Sequence, residues 1–139
     1  RDTLTLLAAT VFLEAEGEPT EGKVAVAWVI RNRADQWKLA IPTAILQPMQ
    51  FSCWNNDYRR QAEARLAAAT GEQADQCWRA AAGVLWRLIP DPIEGRVHYL
   101  NIVATRAGRK NHDLPAWATA ALAKETGVQL GRHTFLKGA

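Results

Sequence analysis

The chain has 139 residues, of which 48% are hydrophobic and 22% charged, the composition of a water-soluble globule rather than a disordered or fibrous chain. Seventeen Lys and Arg against fourteen Asp and Glu leave a net charge of +3, a mild bias towards anionic partners such as a cell envelope, nucleic acid or acidic glycan. Two cysteines, Cys53 and Cys77, exclude a disulfide-rich scaffold and a four-cysteine zinc site, and no apolar run reaches the ~20 residues needed to span a bilayer. The length fits one domain, residues 1–139, and the start at Arg1-Asp2-Thr3 carries no targeting signal.

From Asp2 to about Ala15, Leu4, Leu7, Ala8 and Val11 recur at helical spacing, with Asp2 or Thr3 as N-cap. Gly17 and Pro19 break that helix, and a second runs from Thr20–Gly22 to about Trp37. Its segment Lys23 to Ile30 is apolar on nearly all sides, which predicts a buried central helix, with Arg31, Arg33 and Asp35 marking its return to solvent. A short helical turn follows at Thr43–Leu46, then an aperiodic loop over Gln50–Asp57, and helices over Arg60–Ala69 and Glu72–Leu88. Ile89 to Gly95 is a turn cluster, Val97–Leu100 a short strand and Asn101–Asp113 a long basic loop. Pro115 opens a last helix that ends near Gly127, and Arg132–Leu136 forms a final strand. The expected class is α+β, mainly helical, with a small β element.

Glu14 is the residue with the clearest chemical promise. Steps of three and four from Leu4 through Leu7 and Val11 land on it, so its carboxyl continues an apolar face at the C-terminal end of a helix. Desolvation and the helix dipole both raise a carboxyl pKa there, the condition of a general acid. Read from these features alone, a helix-end glutamate with a salt-bridge partner is the favoured account of Glu14. Glu16 points to solvent. Glu18 is placed to pair with a base, to cap the second helix or to meet a ligand.

The run Glu14-Ala15-Glu16-Gly17-Glu18-Pro19, then Glu21-Gly22-Lys23-Val24-Ala25-Val26-Ala27, then Val29-Ile30-Arg31-Asn32-Arg33, resembles the signature of the SleB-type cell wall hydrolases. The resemblance continues at Gln50-Phe51-Ser52, at His98-Tyr99 with Asn101, at Pro115-Ala116-Trp117-Ala118 and at Gly131-Arg132-His133-Thr134-Phe135, in order along nearly the whole chain. It implies a lysozyme-like fold that cleaves the β-1,4 bond between N-acetylmuramic acid and N-acetylglucosamine in peptidoglycan glycan strands, with Glu14 as general acid and base. It also implies that Glu14 lies beside a cleft between a helical lobe and a small β lobe. Phe51 to Asn55 and the Asn101–Asp113 segment differ from the spore enzymes and are more similar to phage or proteobacterial branches.

Around Glu14 the expected substrate contacts are Glu18, Gln50, Ser52, His98, Tyr99 and Trp117. Gln50 and Ser52 would meet N-acetyl groups. His98 and Tyr99 would hydrogen-bond the sugar or steady the cationic transition state, and Trp117 would offer a stacking face. Tyr99 and Trp117 serve as packing residues on the plainer reading, and His133 and Phe135 are structural. A water-using glycosidase needs a second carboxylate, for which Asp57, Asp91, Asp113 and Glu18 are the candidates and none is marked by spacing. A lytic transglycosylase does not, and the 1,6-anhydromuramic product is therefore favoured over that of a hydrolytic muramidase.

Rival readings carry less. A cysteine peptidase built on Cys53 with His98 or His112 lacks a feature that would depress the thiol pKa. His98, His112 and His133 lack metal-ligand spacing, so no metal or cofactor is expected. A binding module for cell wall or nucleic acid would use Arg106, Arg109, Lys110 and His112 but leave Glu14 without a task. The expected partner is peptidoglycan, with no nucleic acid and no membrane span. The expected form is a monomer acting in the periplasm or cell wall, with a phage-encoded origin as one source.

Overall fold

A computed structural model of the chain describes residues 2–47 and 64–137. Helix α1 (Thr3–Ala15) starts where the carboxylate of Asp2 accepts both the backbone N–H and the hydroxyl of Thr5 at 2.8 Å. It is buried almost all round from Leu6 to Phe12, and the one polar side chain there, Thr10, donates its hydroxyl to the Leu6 carbonyl. Helix α2 (Thr20–Trp37) is buried without interruption from Gly22 to Ile30, the central helix expected of its composition. A short α3 (Ile41–Ile45) and the longer α4 (Glu72–Leu85) close the helical layer: α4 packs on both α1 and α2, and α3 on the same pair. Residues 64–68 are also helical, while 60–63 and the Gln50–Asp57 loop lie outside the described residues.

The sheet is small and antiparallel. Strands β1 (His98–Leu100), β2 (Val128–Leu130) and β3 (His133–Leu136) run in the order β1-β3-β2, with Tyr99 opposite Phe135 and Gln129 opposite Thr134. Alternation along the strands divides the faces. Tyr99 and Phe135 face the helical core, whereas Leu100 and Leu136 join Leu114, Ala118 and Ala121 of the far side in a second cluster. That second cluster is built on α6 (Ala116–Lys124), which follows α5 (Ile102–Ala107).

Several local expectations are corrected. Asn101–Asp113 is not all loop: Asn101 accepts the Ala104 N–H at 2.9 Å and caps α5. β2 was not anticipated, because its three residues have no alternation strong enough to read. α4 stops at Leu85 rather than Leu88, since the Gly83 carbonyl turns to accept the N–H groups of Leu88 and Ile89. The last helix ends at Lys124, ahead of Gly127.

The largest correction concerns the end of α2. Asn32 and Arg33 are buried rather than returning to solvent. Arg31 donates to the Leu85 carbonyl at 2.6 Å, Asn32 to the Arg96 carbonyl at 3.1 Å and Arg33 to the Val97 carbonyl at 2.7 Å. Asp91 completes the turn by accepting from Ile93 N, Gly95 N and the Asn32 amide. Arg31 thus caps the end of α4, while Asn32 and Arg33 satisfy the backbone of the segment that leads into β1, whose carbonyls would otherwise be buried and orphaned.

Gly127 illustrates how closely the sheet is packed. Its φ is +80°, and a Cβ there would stand 2.9 Å from the Phe135 carbonyl and from side-chain atoms of Thr134 and Leu136. Gly71 has a similar φ of +89° with nothing within 4 Å. Thermal melting should show Gly71→Ala losing only the backbone preference, about 1–2 kcal/mol. Gly127→Ala should lose a further amount of about 1–3 kcal/mol from overpacking. Equal losses would mean that β2 and β3 yield at this point.

Candidate active site

Glu14 occupies the last turn of α1, half-buried, where the helix end meets the core-facing side of β1. The Tyr99 hydroxyl donates to Glu14 Oε2 at 3.2 Å. Tyr99 is itself held by rings: the edge contact with His133 has centroids 4.9 Å apart, and Phe135 lies at 5.6 Å. Arg33 is close enough to feel both residues. Burial lowers its pKa, and Tyr99 and Glu14 act in the opposite direction by favouring the guanidinium charge. The tip of α1 therefore carries a carboxyl oriented by a phenol, with a buried cation behind.

A cavity of about 250 Å³ opens at this point, and its walls include Glu14, Glu16, Glu18, Asn101, Arg132 and His133. Glu18 forms its inner wall. Only 5% of its side chain is exposed, and its carboxylate accepts the Arg132 backbone N–H at 3.2 and 3.3 Å. Arg132 Nε stands 3.6 Å away, and His133 Nδ1 lies 3.3 Å from Oε1 without making a hydrogen bond. On the other side, the ammonium of the fully buried Lys23 donates to the Glu18 carbonyl and, at 2.7 Å, to Gln73 Oε1. The approach of the β2–β3 turn depends on Gly131, where φ is +60° and a Cβ would fall 2.6 Å from Glu18 Oε2.

The other carboxylates have partners. Glu16 pairs with Arg65 at 2.7 Å, Asp113 with Arg109 at 2.9 Å, and Asp91 is taken up by its turn. Asp57 lies outside the described residues, as do Gln50, Ser52 and Cys53.

The structure thus brings Glu14, Glu18 and Tyr99 together and separates two other expected site residues from them. His98 precedes Tyr99 on β1 and so takes the opposite face, where its ring lies 5.3 Å from that of Trp117 on α6. Three residues that sequence reasoning had not assigned, Asn101, Arg132 and Arg33, line or back the site. All three stand in the runs that carry the family resemblance, and their local signals are slight: a polar residue directly after a strand, and an arginine following the glycine of a tight turn. Cys77 is a buried thiol on α4, its pKa pushed up to about 11 by burial, which leaves it protonated and inert. Among the described residues no group of three or more His, Cys, Asp and Glu is placed to hold a metal ion.

Both site-region histidines have a lowered pKa. For His133 burial is the main cause, opposed by Glu18 and assisted by Arg132; for His98 it is burial, then Arg33. The folded protein therefore binds these protons less readily than the unfolded chain, so stability present above the unfolded value is lost as pH falls towards the folded value. The melting temperature should drop as pH falls below about 6.5, ahead of the carboxylate range, and less steeply in His133→Gln. A flat profile in that window would contradict neutral buried histidines.

Comparison with known proteins places the chain in a family and a fold. The family model described as Cell Wall Hydrolase matches residues 17–136, a stretch that begins just after Glu14. No curated protein matches the chain at a significant level. Among solved structures, the catalytic domain of the germination-specific lytic transglycosylase SleB from Bacillus anthracis superposes with a TM-score of 0.66 at 22% identity, covering 97% of this chain and 93% of that one. The catalytic domain of the Bacillus cereus SleB protein gives 0.60 at 24% identity, covering 97% and 89%. The α+β, mainly helical fold is the lysozyme-like one that these domains share. With most of its length matched by the family model, the chain belongs to the cell wall hydrolase family.

Proposed function

We propose that this domain cleaves the glycan strands of peptidoglycan at the β-1,4 bond that follows N-acetylmuramic acid, as a lytic transglycosylase with Glu14 as acid and then base. The observation that carries the reading is the cavity around Glu14: its carboxyl is oriented by Tyr99, while the other two carboxylates of the same cavity, Glu16 and Glu18, are engaged by Arg65 and by Arg132. Retaining and inverting hydrolases both need a second working carboxylate. Internal attack needs one.

In the first half of the reaction Glu14 gives its proton to the bridging oxygen, and the bond from that oxygen to C1 of muramic acid breaks. The anomeric centre takes on oxocarbenium character. Glu14, now a carboxylate, accepts the proton of the muramic acid 6-hydroxyl as that oxygen bonds to C1, which closes the 1,6-anhydro ring. No water is consumed, and the net proton transfer runs from O6 to the leaving oxygen. The Tyr99 hydroxyl holds the carboxyl in place through both steps. Arg33, with its charge close to Glu14, balances the carboxylate formed midway.

On this reading Glu18 is a positioning residue, and His98 with Trp117 lies outside the immediate reacting centre. The enzyme acts on this reading as a monomer. The substrate confines that action to the cell envelope, in the periplasm or cell wall, and a phage-encoded enzyme would meet it in the same place. Among the described residues no helix is long and apolar enough to cross a membrane.

Glu14→Gln should keep the fold and lower peptidoglycan cleavage on the order of a hundredfold or more, because the amide has the shape of the acid without its proton. A folded variant that retained most activity would remove Glu14 from the mechanism. Digestion in oxygen-18 water should yield unlabelled anhydro ends; labelled reducing muramic acid would indicate a hydrolytic muramidase instead. Tyr99→Phe keeps the ring contacts and loses only the hydroxyl, so kcat should fall about tenfold, the scale of one hydrogen bond to a charged group, at nearly unchanged melting temperature. An unaltered kcat would show that Glu14 is oriented by other contacts.

A further inference from the structure

A second cavity, of about 430 Å³, adjoins the one that holds Glu14. Asn101 and Arg132 line both, so the two are neighbours across a ridge made by these side chains. Beyond the ridge the wall is the apolar run Ile102, Val103 and Ala104 of α5 faced by the turn-bearing ends of β2 and β3, and none of the lining residues is acidic. Val103 is 80% exposed, an unusual position for valine.

Arg132 is the charged group of this ridge. Its backbone N–H, not its side chain, supplies the hydrogen bonds to Glu18. The guanidinium approaches Glu18 only to 3.6 Å, too far for a hydrogen bond, and the side chain is 68% exposed. A planar fork of five N–H donors, anchored on one side and open on the other, is suited to taking a second carboxylate in a bidentate pair.

The substrate offers such a group close to the scissile bond. Muramic acid carries its lactyl ether on C3, two ring atoms from the C1 that reacts, and the stem peptide hangs from that lactyl carbonyl with free carboxylates along it. With C1 beside Glu14, a substituent on C3 leaves from the same cavity that Asn101 and Arg132 line.

We propose that the second cavity is a subsite for the acidic stem peptide of peptidoglycan, in which Arg132 pairs with a stem carboxylate and Val103 packs on the peptide chain. The inference rests on the glycan-cleaving function and adds a substrate requirement to it: strands that carry stems are cut in preference to bare ones.

The test compares cleavage of stem-bearing glycan strands with strands stripped of their peptides by an amidase, which leaves a bare lactyl carboxylate. For the wild-type chain the ratio of kcat/KM for stem-bearing over stripped strands should be about tenfold, the scale of one charge-assisted contact. Arg132→Gln should bring that ratio close to one. Val103→Glu, which adds a repelling carboxylate at an exposed position and leaves the core untouched, should do the same and serves if Arg132→Gln fails to fold. An unchanged ratio in the folded variants, or a wild-type chain without preference, would overturn the subsite while leaving the glycosidase intact. Preference for stripped strands that disappears in Arg132→Gln would overturn it too and assign Arg132 to the lactyl carboxylate. Failure of the wild-type chain to cut either substrate would overturn the functional reading and the subsite with it.

Discussion

The arrangement depends on one buried carboxylate. Glu18 sits between the α1–α2 turn and the β2–β3 turn, and removal of its charge from water would be costly without partners. Its carboxylate is met from the sheet side by the Arg132 N–H and guanidinium, while on the helix side Lys23 holds its backbone carbonyl. Because the α1–α2 turn follows Glu14 directly, a fixed Glu18 fixes the end of α1. Because His133 packs edge-on against Tyr99, the same contact sets the phenol that meets Glu14. Loss of the Glu18 carboxylate would therefore loosen the reacting centre without removing any group from it.

A second set of contacts holds the sheet from below. Arg31, Asn32 and Arg33 reach 54 to 64 residues along the chain to backbone carbonyls. Local pattern reading sees two arginines at the end of an apolar helix and assigns them to solvent, because in most helices that is where charge goes. What the pattern cannot show is a carbonyl-rich turn folded over the same face. The helices themselves were legible, since α1 and α2 repeat their apolar residues with helical period and Pro19 and Pro115 mark boundaries. Short elements such as β2 and α5, of three and six residues, hold too few positions for a period to show.

The site shows the same division. Glu14 was legible because a carboxylate that continues an apolar face stands out. The grouping of His98 with Tyr99 ignored a period that was itself available: adjacent strand residues take opposite faces, so only one of the two can meet Glu14. Arg132 stands in a run that carries the resemblance but receives no role from it, because a solvated arginine after a glycine has no periodicity to mark it, and its significance comes from the two cavities it lines.

The hydrogen bond between Glu18 and Arg132 joins residues 114 positions apart. Helices α1 and α2 can form as soon as their own residues are available, but the wall opposite Glu14 is supplied by β3, near the end of the chain. Closure of so long a loop comes late in folding, after the local helices. During synthesis Glu14 is thus made well ahead of β3 and has no partner wall until that strand has left the ribosome. A chain cut ahead of β3 would carry Glu14 and yet lack that wall, so on the proposed reading the order of translation itself withholds the cleavage activity until β3 is in place.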